Sequence, residues 1–209
     1  MNIIKEMEQL NFFEEEKSGY EKIYLDGEYF IEIYHQVSKL KIDTKEFNLL
    51  WNEHPEEFHE VRILGKLIKT PRWQQAYGKN YEYTGSRNNA LPIDRIDNKY
   101  LEWSKINIDE NLNGILINWY EGEQNHYIGK HRDSTKGLIK GTPIVTISHG
   151  EERVFRLRPL RGKGYKDFKV KNGDALVIPW NTNKIYTHEV PHFKKYKKRR
   201  ISVTLRAYS

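Results

Sequence analysis

Residues 200–206 read RISVTLR. In an extended chain successive side chains point to opposite faces. Ile201, Val203 and Leu205 then form one apolar face, while Arg200, Ser202, Thr204 and Arg206 form the other. Two guanidiniums turned into a β core need anionic partners, because an unpaired buried charge is very costly. Protein carboxylates would serve, and so would a small dicarboxylic acid, which the guanidinium fork grips with paired hydrogen bonds. Working back from this run, GILINWY (114–120), PIVTISHG (143–150), RVFRLRPL (153–160) and DALVIPW (174–180) are short apolar or alternating segments. Gly, Pro, Asn-Gly and charged clusters separate them. Short strands at this spacing predict a sandwich or barrel. The expected class is mainly β with peripheral helices (α+β).

The first part of the chain reads differently. EKIYLDGEYFIEIYHQV (21–37) alternates around Asp26-Gly27, a hairpin signal because both residues tolerate positive φ. In DTKEFNLLWNEH (43–54), Asp43 and Glu46 have the spacing of a capping box, and Phe47, Leu50 and Trp51 share one helical face. Residues 1–60 are expected to be an N-terminal extension, hairpin and helix, packed on a core formed by 61–209. Residues 61–97 are polar and rich in Tyr, Gly, Asn and Arg, and a long loop in a compact domain is usually functional.

Cys is absent from the 209 residues, which excludes disulfides and thiolate metal sites. A metal would have to sit on His, Asp or Glu. In HRD (131–133), His131 and Asp133 are two apart and share a face if the segment is extended. His188, in YTHEVPH, is the best candidate for a third ligand. Two imidazoles and one carboxylate suit non-haem Fe(II), because they leave coordination positions open for a cosubstrate and O₂. Asn118 and Tyr120 share a strand face in LINWYEG and both can donate to a carboxylate.

These pieces, in this order, resemble the AlkB family of Fe(II)/2-oxoglutarate dioxygenases: TPRWQQAYG (70–78), NWYEGEQNHYIGKHRD (118–133), PIVTISHGEERVFRLRP (143–159), HEVP (188–191) and RISVTLR (200–206). The resemblance covers roughly 60–209. It implies a double-stranded β-helix (jelly roll) with a nucleotide-recognition lid at about 70–90. It implies His131, Asp133 and His188 as iron ligands, and Asn118, Tyr120, Arg200 and Arg206 around 2-oxoglutarate. In the lid, Tyr81 and Tyr83 would meet a flipped base and Arg72 or Arg87 a phosphate. The implied reaction is oxidative dealkylation of alkylated nucleobases in DNA or RNA. Alternatives are the same chemistry on a protein or small molecule, and a non-catalytic nucleic-acid-binding β barrel.

Many DNA-repair members carry a carboxylate one or two residues after the Asp ligand, at the base. Here Ser134 and Thr135 hold those positions, which points away from a cationic methylated base. The formal net charge of +6 favours a polyanionic partner. HFKKYKKRR (192–200) is its densest run; Lys194, Lys195, Lys197, Lys198 and Arg199 are the phosphate-facing candidates. There is no leader-like apolar run at the N-terminus and no apolar stretch near membrane-spanning length. A soluble intracellular monomer is expected, cytoplasmic or, in a eukaryote, nuclear.

Overall fold

The structure, a computed structural model, describes residues 19–83 and 85–209. The part of the expected N-terminal extension at 1–18 lies outside the described residues. Two antiparallel sheets form the jelly roll. The larger runs β1 (Tyr20–Asp26), β2 (Tyr29–Tyr34), β13 (Ala175–Ile178), β10 (Ile144–Gly150), β15 (Arg200–Arg206), β8 (Gly114–Tyr120) and β5 (Trp73–Tyr77). The smaller runs β12 (Lys166–Val170), β11 (Arg153–Pro159), β14 (Tyr186–Val190) and β9 (Ile128–His131). Two separate hairpins are β3 (Glu60–Ile63) with β4 (Lys66–Lys69), and β6 (Tyr81–Tyr83) with β7 (Ser86–Asn88). The helices are α1 (Thr44–Asn52), α2 (Lys99–Asn107) and the short α3 (Trp180–Ile185). Among the described residues no helix is long and apolar enough to cross a membrane.

Strand β15 is buried along its whole length, which explains its two-faced sequence. Ile201, Val203 and Leu205 join Ile115, Ile117, Trp119 and Val145 in a core that packs under Trp51 of α1 and Tyr100 and Trp103 of α2. The opposite face, Arg200, Ser202, Thr204 and Arg206, looks between the two sheets into a cavity. The rest of the inter-sheet space is filled by Ile144, Leu176 and Ile178 against Phe155, Leu157, Tyr186 and Val190. Register carries the pattern to the neighbours: Ser202 pairs with Asn118 and Arg200 with Tyr120, so β8 presents both to the same cavity.

Helix α1 starts as its sequence dictates. The Asp43 carboxylate accepts from the Glu46 N–H at 2.8 Å and the Glu46 carboxylate from the Asp43 N–H at 2.9 Å, satisfying two donors that a helix start leaves orphaned. The β1–β2 turn falls one residue later than expected. Asp26 pairs with Tyr29, and Gly27 at φ +39° takes the first loop position.

Two expectations are corrected. The hairpin at 20–34 is not an appendage, because β2 pairs with β13 and extends the larger sheet. The segment 73–77 is no lid: it is an edge strand, with Trp73 opposite Trp119 and Tyr77 opposite Ile115. Its aromatic content explains the placement. Trp73 is clamped between the rings of His54 at 4.2 Å and Phe58 at 5.0 Å, and apolar area of that size is worth most inside the fold.

Candidate active site

The three expected metal ligands meet at one point. His131 closes β9 and pairs directly with His188 of β14. Asp133 lies two residues beyond the end of β9, so an extended register does not place it. Instead Asn183 of α3 grips its backbone on both sides, accepting from the Asp133 N–H at 3.2 Å and donating to the Asp133 carbonyl at 3.0 Å. His131 Nε2 and His188 Nε2 lie 3.7 and 3.8 Å from Asp133 Oδ1. One ligand atom from each residue falls within a 4.8 Å span, close enough for a single cation to bridge.

The protonation states suit a metal. His131 Nδ1 lies 2.8 Å from the Gly129 carbonyl, which can only accept, so the proton sits on Nδ1 and the Nε2 lone pair faces the site. Burial pushes the His188 imidazole down to about 3, with the neighbouring His131 adding to the fall. Burial also lowers His131. For Asp133 burial pushes upward, but the charges of Arg206, His188 and His131 outweigh it and bring the carboxyl down to about 2. Asp133 therefore stays ionised beside two neutral imidazoles.

Arg206 settles how that carboxylate divides its work. Its Nε and Nη2 donate to Asp133 Oδ2 at 2.9 and 2.6 Å. Oδ1 is buried and has no hydrogen-bond partner among the described residues. A buried carboxylate oxygen without a donor is costly unless a cation meets it. The donor set and this orphaned atom fit Fe(II). Arg206 was expected around the cosubstrate; it is engaged first as the counter-ion of a ligand.

Arg200 is the opposite case. It is fully buried, its Nη2 donates to Ser148 Oγ at 2.9 Å, and its Nε and Nη1 have no partner among the described residues. Its guanidinium stands 5.0 Å from the Tyr120 ring. Burial brings Arg200 down to about 10 against the pull of Tyr120. A buried guanidinium with two nitrogens unpaired among the described residues, lining the cavity, has the chemistry to bind a carboxylate. The cavity between Arg200 and the triad is lined by Asn118, Tyr120, Thr146, Ser202 and Thr204.

Arg72 is placed differently from the phosphate contact expected. It is buried against this cavity, donating from Nε to Asn118 Oδ1 at 2.8 Å and from Nη2 to Gln74 Oε1 at 3.1 Å. A backbone phosphate outside cannot reach it. Tyr81 is also buried, its ring 4.7 Å under the Arg206 guanidinium, which leaves no face for a base. Tyr83 is half-buried, edge-on to His131 at 5.9 Å and stacked against Tyr81 at 6.3 Å.

A second, open cleft adjoins the first. It runs along Asn80–Tyr83 and Gly85–Arg87 on one side and Ser134, Lys136, Gly137 and Leu138 on the other, with Arg206 and Tyr208 at its base. Arg206 and Tyr81 border both spaces, so the cleft lies against the cavity that holds the triad. Ser134 lines it as expected. Thr135 does not: its carbonyl accepts the Leu138 N–H at 3.2 Å and closes a turn. In the basic loop Arg199 is taken up by Glu121 at 3.2 Å and by the Trp51 ring at 4.8 Å, leaving exposed lysines as the phosphate candidates.

Asn183, Ser148 and Gln74 escaped the sequence reading. Asn183 and Ser148 act through hydrogen bonds to functional residues 50 and 52 positions away in the chain, which no local spacing marks, and Gln74 acts through its neighbour Arg72.

The profile described as the 2OG-Fe(II) oxygenase superfamily matches residues 32–206. The chain is 30% identical over 157 residues to the Bos taurus protein named DNA oxidative demethylase ALKBH2, covering 70% of this chain and 56% of that one. It is 29% identical to the Homo sapiens protein of that name, covering 70% of this chain and 60% of that one. The chain thus spans well short of the full length of these relatives. The solved structure titled "The structure of OsALKBH1" superposes with a TM-score of 0.56 at 14% identity, over 90% of this chain and 100% of that one, a likeness of fold. Members of the matched family use Fe(II), 2-oxoglutarate and O₂. The match over residues 32–206, with the triad and the jelly roll, places the chain: it belongs to the 2OG-Fe(II) oxygenase superfamily, as an AlkB-like member.

Proposed function

We propose that the protein removes alkyl groups oxidatively from nucleobases, with DNA as the favoured polymer. The observation that carries this reading is the open cleft beside the cavity of the metal triad, with Tyr83 of its wall edge-on to His131. A base must leave its stack to reach a buried iron, and a cleft between a hairpin and a loop admits one base while its strand stays outside. The relatives named as DNA oxidative demethylases support the choice of DNA.

Bound Fe(II), with 2-oxoglutarate and O₂, supplies the oxidation of an N-alkyl carbon, whose hydroxylated product separates into the free N–H base and an aldehyde. The protein supplies position and protonation. His131 keeps its proton on Nδ1 through Gly129, so that Nε2 binds. Arg206 holds Oδ2 of Asp133, so that Oδ1 binds. Arg200, with Ser148 behind it, receives the distal carboxylate of 2-oxoglutarate.

Outside the cleft, the β3–β4 hairpin supports a nucleic-acid partner. Its apex, Leu64, is 98% exposed and held at φ +48° beside Gly65 at φ +80°. Leucine rarely adopts the left-handed region, and a strained exposed apolar residue is a sign of use. Arg62, Lys66 and Lys69 flank it. Apolar tips with basic neighbours serve as wedges between base steps.

The test is direct. Incubated with Fe(II), ascorbate and 2-oxoglutarate, the protein should demethylate N-methylated DNA oligonucleotides, read by mass spectrometry, and form succinate; His131→Ala should do neither. Succinate formed without loss of methyl from any DNA or RNA oligonucleotide would overturn the reading.

A further inference from the structure

We propose that the cleft selects an uncharged alkylated base that offers carbonyl oxygens, such as 3-methylthymine or 1-methylguanine, over the cationic 1-methyladenine and 3-methylcytosine. This rests on the nucleobase reading above and names the substrate class for the same site.

The wall opposite the hairpin is built from Ser134, Lys136, Gly137 and Leu138. The nearest carboxylate in sequence, Asp133, is turned away from the cleft, with Oδ2 on Arg206 and Oδ1 on the two imidazoles. The one carboxylate on the cleft wall, Glu82, sits directly across the β6–β7 ladder from Arg87, which lines the cleft as well. Arg206 at the base is neutralised by Asp133. Those charges offset one another, and the ammonium of Lys136 is left as the net charge of the cleft.

Hydrogen-bond capacity points the same way. Ser134 Oγ accepts from the Lys136 N–H at 3.3 Å and keeps its hydroxyl hydrogen free to donate and one lone pair free to accept. Lys136 carries only donors, and the Tyr208 hydroxyl at the base can donate too. Adenine and cytosine present an exocyclic amine, a donor, whereas thymine presents O4 and guanine O6, both acceptors. The cationic methylated bases would bring an amine donor and a positive charge to the ammonium of Lys136, which can accept neither. A lactam or imide base brings oxygens to the same groups at no charge cost, and polar complementarity of this kind discriminates strongly because the mismatched pairs stay unsatisfied.

The experiment uses four DNA oligonucleotides of one sequence, each carrying one of the four methylated bases. It reads kcat/KM for demethylation, and equilibrium affinity by fluorescence anisotropy without added iron. At least a tenfold preference for the two neutral bases is expected in both readouts. Ser134→Asp and Lys136→Glu should each shift the ratio at least tenfold toward the cationic pair. Both positions line an open cleft, so the variants should fold, which circular dichroism checks. Preference for the cationic bases in the wild type, or a ratio unmoved by both variants, would overturn the inference while leaving the nucleobase reading intact. Failure to demethylate any of the four, or to bind it more tightly than the unmodified strand, removes that reading and this inference with it.

Discussion

The floor of the cavity and the rim of the cleft follow opposite building rules. The floor stands on β8, β9, β14 and β15, inside two wide sheets, with His131 held by the Gly129 carbonyl, Asp133 by Asn183 and Arg206, and His188 stacked on Phe155. The rim stands on the short hairpins β3–β4 and β6–β7, each a two-stranded sheet of its own, tied to each other and to β5 through the side chains of Ser86 and Asn88. Residues that act on a metal need placement to fractions of an ångström, which packed strands supply. Residues that meet a polymer of variable shape gain from exposed, adaptable elements. Damage to the floor should therefore destroy turnover or stability, while damage to the rim should alter affinity and preference by modest factors.

The largest effect belongs to Asp133. Asp133→Ala removes the only carboxylate of the triad and strands Arg206, so 2-oxoglutarate turnover should fall by about three orders of magnitude or more. Oligonucleotide affinity, a property of the rim, should change less than threefold. A loss of both together would merge the two regions.

Next come the arginines at the two ends of β15, which separate the effects within the floor. Arg206→Met leaves a buried carboxylate without its counter-ion and should destabilise the metal-free protein by about 3–5 kcal/mol in urea unfolding. Added divalent metal should restore part of this loss. Arg200→Met removes a buried charge that has no carboxylate, so stability should stay level or rise. Affinity for 2-oxoglutarate should instead weaken by about a hundredfold, the usual scale for losing one side of a buried charge pair. Equal destabilisation by the two variants would mean that Arg200 has a protein counter-ion.

Acid sensitivity should come from the opposite face of the larger sheet, beneath α2. His149, on β10, is buried, with Nδ1 3.1 Å from Asn172 Oδ1 and Nε2 without a partner among the described residues. Burial lowers it from 6.5 to about 4. Between those values the unfolded chain binds a proton that the folded chain refuses. The contribution is therefore complete above pH 6.5 and is lost as pH falls toward 4, by about 3 kcal/mol for a gap of this size. His149→Gln should flatten this limb of the stability profile, and an unchanged slope would assign the acid sensitivity elsewhere.

The sequence showed the floor better than the rim, for physical reasons. The two faces of RISVTLR and the Asp43–Glu46 cap are short-range patterns that backbone geometry imposes, whereas Asp133, also met in the sequence, is placed by Asn183 rather than by strand register. What such patterns do not carry is register. The ion pair between Arg206 and Asp133 joins residues 73 apart, and the hydrogen bonds of Asn183 to Asp133 join residues 50 apart. The same limit hid the pairing of β2 with β13 and put Arg72 outside when it lies within. On the rim, exposed residues obey no periodicity at all. Tyr81 and Tyr83 read alike in the sequence, and the structure separates them because one ring lies beneath Arg206 and the other beside His131.

The smallest expected effect tests the rim at its most exposed point. Leu64→Ser deletes an apolar side chain that touches almost nothing, so folding stability should move by less than about 0.5 kcal/mol. Replacing it with Asn or Gly, which tolerate φ +48°, should even stabilise the hairpin slightly. If Leu64 serves as a wedge between base steps, each of these changes should weaken binding to duplex DNA by about three- to tenfold, the scale of one lost apolar contact. Single-stranded oligonucleotides have no stack to open, so their affinity should hold. A strained leucine would then be explained by the partner it meets rather than by the fold that carries it. Duplex affinity that survives all three substitutions would detach the β3–β4 hairpin from the recognition surface and confine the rim to β6–β7.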